Sequence, residues 1–422
     1  MRERSRVLLT PPATGRLPAL RHRDFAVYWI GTFFSGIGMQ FTLVAMAWQL
    51  YELTDSALQL GLLGLSRGIP TVVLMLFGGL LADAVDRRRL LILTQWLHIG
   101  MAAGLTGATL AGAVSPAVLY LAAAMAGAAT SLEQPSRQAL VPNLVPRSEL
   151  PNALALNMTQ RQVGMIAGPS IGGIVLAFLG PGLCYATELV SRLPMLAALA
   201  VMRPTPQLAG GRGAVSMTAL WQGTRFLWSQ PLILSIMLLD LVQGLFADPR
   251  ILLPIYARDI LHVGPQGLGI LYAAISVGSV LTATALSLRG QIEHAGRWVL
   301  LGITLFALAT IGFAYSEIFW LSVLMLGLEG VGNTLSVVLR GTILQLATPD
   351  ELRGRVSAVS GVFTMGGPQF GHFRAGLAAE ILGPPMAVLS GAVLLLGLTA
   401  AVARSAAVRE FRIGASPTPA VR

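Results

Sequence analysis

Of the 422 residues, 54% are hydrophobic and only 11% are charged, with 47 glycines besides. Soluble domains carry roughly 25% charged residues, so a mean hydropathy of +0.70 excludes a water-soluble globule and a disordered chain alike. The net charge of +10 suggests a nucleic-acid binder, yet all 29 basic residues are Arg, spread in short clusters between apolar segments rather than gathered in a patch. The single cysteine, Cys184, excludes an intrachain disulfide and a cysteine-based zinc site.

Residues 1–24 hold six Arg and no apolar run long enough for a signal-peptide core. They are read as a retained cytoplasmic segment, with the first span as targeting signal. Crossing the hydrocarbon needs about 20 mostly apolar residues. On that measure spans 1 to 6 are expected at 25–50, 57–82, 90–111, 116–132 and slightly beyond, 152–179 and 183–202. Spans 7 to 12 follow at 231–256, 267–288, 298–315, 318–339, 356–382 and 385–403. The chain then divides into a six-helix half at 25–202, a linker at 203–230, a second half at 231–404 and a tail at 405–422. The linker opens with Pro204, Pro206 and Gly210-Gly211. After Ser216, a plausible N-cap, Met217, Leu220, Trp221, Leu227 and Trp228 recur at helical spacing. They make an amphipathic helix, lying on the membrane face or packed against protein.

The arginines test this arrangement. Twenty-three fall on the side of the termini, Arg258 alone on the other, and five within spans. The positive-inside rule then puts both termini in the cytoplasm and explains the basic charge without nucleic acid. A weak internal repeat accompanies the pattern. Gly127, Arg137 and Pro146 recur 203 residues later as Gly330, Arg340 and Pro349, and Gly180-Pro181 recurs as Gly383-Pro384. Glu149-Leu150 recurs as Glu351-Leu352, at 202. Parallel repeats of this kind build one architecture of secondary transporters, with the substrate between the halves.

Between spans 2 and 3 the chain reads Gly78-Gly79-Leu80-Leu81-Ala82-Asp83-Ala84-Val85-Asp86-Arg87-Arg88-Arg89. A carboxylate at a helix end with a cation four residues on can fix a tight turn. This loop resembles the major facilitator superfamily signature G-x-x-x-D-R-x-G-x-R-R, matched at Gly79, Asp83, Arg88 and Arg89. Ala84 stands where the basic residue belongs and Asp86 where the second glycine does. The D-x-x-D-R-R form is similar to the branch holding enterobactin-exporter-like and macrolide-efflux-like carriers. Leu20-Arg21-His22-Arg23-Asp24-Phe25, Tyr51-Glu52-Leu53-Thr54, Pro135-Ser136-Arg137 and Thr348 to Arg355 extend the likeness over nearly the whole chain. The resemblance implies twelve transmembrane helices, all α, in two pseudo-symmetric halves. It also implies a charge relay of Asp83 and Arg87, with Glu133 and Arg137 expected to join it, that closes the cytoplasmic side. Losing the basic residue at Ala84 weakens that relay.

Span 5 carries Gly164, Gly168, Pro169, Gly172 and Gly173. Small residues four apart let helix backbones approach closely, and an internal proline bends a span. The run resembles the superfamily's antiporter motif, except that Ala155 stands where an earlier glycine belongs; it favours export. Gly168-Pro169-Ser170-Ile171-Gly172 also fits the hydrolase pattern G-x-S-x-G. That chemistry needs a strand-turn-helix elbow and a nearby base, and His98 in span 3 is the available histidine. An enzyme is not expected.

Each ionisable group in a span costs at least about 2.5–3.5 kcal/mol at mid-membrane, so it is read as functional first. In the resembled fold spans 1, 4, 7 and 10 line the central cavity. Asp240 and Gln243 in span 7 and Glu329 in span 10 are therefore candidates for proton or substrate coupling, since a membrane-embedded carboxylate changes charge with its surroundings. Arg67 and Arg161, the latter flanked by Gln160 and Gln162, are expected either to pair with these acids or to hold an anionic substrate. Glu188 and Arg192, four apart in span 6, read as a structural pair. Asp248-Pro249-Arg250 reads as a kink with local pairing, and Arg374 and Glu380 as groups snorkelling to the outer interface.

Together these features describe a proton-coupled exporter of a small amphipathic molecule, drug-like or siderophore, in a prokaryotic cytoplasmic membrane. It would need no cofactor and no metal, and would work as a monomer in the bilayer. No nucleotide-binding loop of the G-x-x-x-x-G-K-[ST] type is present. A nutrient importer and a lipid flippase of the same fold are the alternatives.

Overall fold

A computed structural model describes residues 18–84, 86–203, 225, 227–228, 230–289 and 292–411. The described residues form helices and contain no strand. Among the described residues ten helices are long and apolar enough to cross a bilayer. One of them, Leu150–Val201, is 52 residues long and holds two spans divided at Gly180, and the more polar Asp350–Leu382 completes twelve.

In chain order these are α1 (Arg23–Thr54), α2 (Ala57–Ala84), α3 (Arg87–Leu110), α4 (Pro116–Leu140), α5 (150–179) and α6 (181–201). The second half holds α7 (Pro231–Ile260), α8 (Gly264–Arg289), α9 (Ala295–Ala314), α10 (Phe319–Ala347), α11 (Asp350–Leu382) and α12 (Pro384–Ala403). An even number of crossings brings both ends of the described chain to one face, called here the terminus face; the other is the far face.

The repeat has a backbone meaning. Gly180 (φ 73°, ψ 174°) and Gly383 (φ 83°, ψ 154°) occupy the same region, open essentially to glycine alone, and each is followed by a proline that starts the next helix. Gly127 and Gly330 are close-approach sites. A Cβ at Gly127 would collide with the Arg67 carbonyl on α2, and one at Gly330 with the Ile275 carbonyl on α8. The same glycine thus seats α4 on α2 and α10 on α8.

The apolar cores are unequally shared. On the far face one cluster runs through both halves, from Phe41, Leu50 and Leu60 to Leu252, Leu271 and Ala379. On the terminus face each half keeps its own cluster. Phe25, Leu91 and Met195 belong to the first half's, and Ile236, Val299 and Leu395 to the second's.

Several expectations need correction. Most helices run past their expected ends, α10 by two turns to Ala347. Arg340 therefore lies inside α10 and is 4% exposed, not in a loop on the terminus side. Arg137 likewise lies inside α4. A cation that meets a carboxylate can stay within a span, and both do so. Arg374 does not snorkel. It turns inward to the carbonyls of Phe246 (2.6 Å), in the first π turn of α7, and Ala387 (3.2 Å), in the first turn of α12. Span 7 is no single helix: it passes through a π-helical turn at Gln243–Ala247, a 3-10 turn at Arg250–Leu252 and a second π turn at Tyr256–Ile260. The amphipathic helix expected after Ser216 lies almost wholly outside the described residues, as do most of residues 1–24, the 203–230 linker and the 405–422 tail.

Candidate functional site

The second half gathers its polar groups where α7 loses regular hydrogen bonding. Irregular backbone at membrane depth persists where protein or a water-lined cavity surrounds it, and π turns mark functional sites often. Asp240 ends one turn before the first π turn. Its carboxylate meets Arg340 of α10 at 3.0 Å and accepts from the Thr364 hydroxyl of α11 at 3.1 Å. Arg340 also donates to Gln243 Oε1 (3.0 Å), whose amide nitrogen donates to Asn333 Oδ1 (2.9 Å). Asp240 keeps 29% of its side chain exposed while Arg340 keeps 5%, so water reaches the pair from the acid's side.

A second cluster sits higher, at the α7 break. Asp248 Oδ1 accepts the Arg250 backbone N–H (3.0 Å), the local pairing expected of this kink. Arg250 also reaches Glu329 Oε1 at 3.5 Å, tying α7 to α10, and the other oxygen of the buried Glu329 has no partner among the described residues.

The first half carries a continuous buried chain. Arg137 donates to Glu133 (2.9 Å) and to Ser35 on α1 (3.0 Å). The Gln95 amide on α3 donates to Glu133 (2.5 Å), and its oxygen accepts from Arg192 of α6 (3.4 Å). Arg192 pairs with Glu188 at 2.8 Å, and His98 stands 3.5 Å from the same carboxylate. Glu188 and Arg192 are the expected pair. Glu133 and Arg137 turn toward Gln95 and Ser35 in the interior of the half. Gly79 and Asp83 lie in the last two turns of α2, the Asp83 side chain outside the described residues, and Arg87 opens α3. In that loop Asp86, not singled out by sequence for this role, caps α3 by accepting the Arg89 N–H at 2.9 Å. Arg88 ties α3 to the end of α6 through the Leu199 carbonyl (2.8 Å).

The glycines of α5 form part of the seam between halves. A Cβ at Gly173 would collide with Gly269 of α8, at Gly172 it would press on Phe41 of α1, and at Gly168 on the Gln40 side chain; Gly164 faces open space. Pro169 lies within the helix. Ser170 shares a hydrogen bond with Ser276 of α8 (3.0 Å), a seam contact with no base beside it. Glu380 of α11 accepts from Ser56 (3.0 Å) and the Leu58 N–H (3.1 Å), so it caps α2 across the seam rather than snorkelling. At the far rim Arg258 pairs with Asp55 at 2.6 Å and donates to the Tyr51 carbonyl, and the Tyr51 hydroxyl bonds Asp259. The hydrogen bonds and ion pairs seen between the halves, those of Tyr51, Asp55, Ser56, Leu58, Ile166 and Ser170, lie between mid-depth and the far face, while α2 and α11 also pack where Val72 faces Gly366 and Met75 faces Gly361.

Arg67 and Arg161 stand apart. Neither guanidinium has a carboxylate within ion-pair distance or a hydrogen-bond partner among the described residues. Of the two roles open to them, pairing with the intramembrane acids is not the one observed.

The transmembrane secretion effector family (MFS_3) matches residues 14–417. The enterobactin exporter EntS of Citrobacter koseri is 30% identical over 387 residues, 89% of this chain and 91% of that protein. The Shigella boydii exporter is 30% identical over 384 residues, 89% and 90% of the two chains. Among solved structures, the nucleoside transporter NupG matches with a TM-score of 0.70 at 14% identity, covering 90% of this chain and 98% of that one. A bacterial homologue of the iron transporter ferroportin in an inward-facing state matches with a TM-score of 0.66 at 19% identity, covering 90% and 98%. Sequence motifs, twelve helices in two halves joined along one face, and these likenesses place the chain in a single group: it belongs to the major facilitator superfamily, as a transmembrane secretion effector of the enterobactin-exporter-like branch.

Proposed function

We propose that this protein is a proton-driven exporter of a small amphipathic molecule of the siderophore or drug-like kind. In this reading it is a monomer working by alternating access in a prokaryotic cytoplasmic membrane, with both termini inside. The observation that carries the reading is the one-sided seam. Among the described residues the shared apolar cluster and the polar contacts between the halves concentrate toward the far face, whereas nearer the terminus face each half keeps its own apolar cluster, an arrangement that suits a carrier loading from the side of its termini. The arginine distribution puts that side in the cytoplasm. The exporters that share 30% of its residues along nearly the whole chain support outward transport of a siderophore.

Asp240 is the coupling acid in this scheme. While the terminus face is open it is paired with Arg340. A proton arriving from the far side, once that side opens, neutralises it, frees Arg340 and lets α7 repack against α10 and α11. The inward proton gradient supplies the work. One charge crossing 100 mV yields about 2.3 kcal/mol, enough for roughly 50-fold accumulation.

The test is accumulation of dyes, macrolides and catecholate siderophores in an efflux-deficient bacterium expressing the chain or its Asp240→Asn variant, with and without a protonophore. Export that needs both Asp240 and the gradient is the expected result. Unchanged gradient-driven export by Asp240→Asn, at equal membrane expression, removes Asp240 from the mechanism. No export of any compound removes the exporter reading.

A further inference from the structure

The interior charges do not balance within each half. In the second half Arg250 and Arg340 meet Asp240, Asp248 and Glu329, and Arg374 spends its N–H groups on carbonyls and the Ser390 hydroxyl. In the first half Glu133 and Glu188 are each taken by an arginine four residues on. Arg67 and Arg161 remain, two cations with no ion-paired carboxylate among the described residues, both in the first half.

Their helix faces point inward. On α5, Gly168 and Gly172 mark the side packed on α1, and Ser170 and Gly173 the side packed on α8. At 100° per residue, Arg161 points along the α1 side, midway in angle between Gly168 and Gly172 but about two turns nearer the terminus face, with Gln162 and Met165 between the two packed sides, while Val163, Ile174 and Phe178 occupy the opposite face. Arg161 and Gln162 are nonetheless exposed. Exposed polar groups on the face between α1 and α8 line the opening between the halves. On α2, Gly64 and Gly68 pack on His372 and Gln369 of α11. Arg67 lies three residues after Gly64 and immediately before Gly68, half-buried, away from the exposed face of Ile69 and Val73. A guanidinium without an acid presents its fork of N–H donors to whatever oxyanion enters.

We propose that Arg67 and Arg161 are the attachment of the first half for an anionic oxygen group of the transported molecule, a carboxylate or an ionised phenolic oxygen. This rests on the carrier reading above and gives it a substrate class: molecules bearing an oxyanion on an aromatic or amphipathic body. It also divides labour between the halves. The first half recognises negative charge, and the second, with its acids engaged by arginine, handles the proton.

The test compares salicylate with its neutral amide, salicylamide, by equilibrium binding to the purified full chain in detergent, followed by tryptophan fluorescence. Wild type is expected to prefer the anion by about tenfold or more, the range of a charge-assisted hydrogen bond. Arg161→Gln and Arg67→Gln are expected to lose most of that preference, and Arg161→Lys to recover part of it. Arg289→Gln, at the terminus-face end of α8, is expected to keep it, which separates loss of the attachment from a general fall in positive charge. Circular dichroism melting of each variant shows whether it is folded. Equal binding of the two probes by wild type, no binding of salicylate up to its solubility limit, or an undiminished preference in folded Arg161→Gln and Arg67→Gln overturns the proposal. Gradient-driven export by a wild-type chain that binds the two probes equally would leave the exporter reading standing while the attachment falls, so the two failures are distinguishable.

Discussion

Arg137 and Arg340 hold the same place in the two halves, 203 residues apart, and the helices around them pack alike through Gly127 and Gly330. Their partners differ. Arg137 has Glu133 one turn away on its own helix, and the position matching Glu133 in the second half is Ser336. Arg340 must therefore find its acid on another helix, and finds Asp240 on α7. An ion pair within one helix survives any rigid movement of that helix; one between helices is made and broken as they move. The first half keeps its paired charges in a buried chain, while the second stakes them across the α7–α10 contact. Two copies of one fold thus divide into a rigid member and a responsive one.

That contrast can be broken most sharply at the buried pairs. Glu188→Gln strands the fully buried Arg192 and is expected to cost about 3–5 kcal/mol, seen as a large drop in the unfolding midpoint of the detergent-solubilised protein. Asp240→Asn, where water already reaches the acid, is expected to melt much closer to wild type while losing gradient-driven transport. A larger melting loss at Asp240 than at Glu188 would reverse the assignment of rigid and responsive halves.

The matched glycines probe what the halves share. Gly127→Ala and Gly330→Ala each force a methyl group onto a neighbouring carbonyl, with an expected loss of about 1–3 kcal/mol at each site; very unequal losses in thermal unfolding would mean that the halves do not pack alike. Gly180→Ala and Gly383→Ala meet no neighbouring atom, so their cost is backbone strain alone, about 1–3 kcal/mol. The smallest effect on stability is expected at the far rim. Asp55→Asn removes an exposed partner of Arg258 and should change the unfolding free energy by less than about 1 kcal/mol. It should nevertheless raise cysteine-labelling access at the far face, where Tyr51, Asp55, Arg258 and Asp259 now clasp.

The architecture was legible because each span needs an apolar run of fixed length, and Arg clusters mark the ends. Boundaries slipped where a paired charge allowed a helix to continue: Arg340 reads as the end of a span until its acid is known. The pair itself was hidden because Asp240 lies a hundred residues earlier, and sequence spacing speaks only for neighbours on one helix. A signal existed all the same. An intramembrane arginine whose repeat mate has an acid four residues back, and which has none, implies a partner elsewhere. Glu188 with Arg192 was readable by the same spacing rule. Glu329 with Arg250 was not, because the break in α7 that brings Arg250 inward has no simple sequence period. Arg67 and Arg161 were visible as candidates, but only the arrangement of the other charges shows them left over.

Gly180 and Gly383 carry a final consequence. A single residue joins α5 to α6 and α11 to α12, leaving each pair no slack at its apex. When α5 slides against α8, or α11 against α2, the outer helix of the pair must swing with it, as the free arm of a hairpin follows the fixed one. Those outer helices displace lipid. The lateral pressure and thickness of the bilayer therefore act directly on the carrier's opening and closing, and its turnover should vary with acyl-chain length even where substrate and proton gradients are held constant.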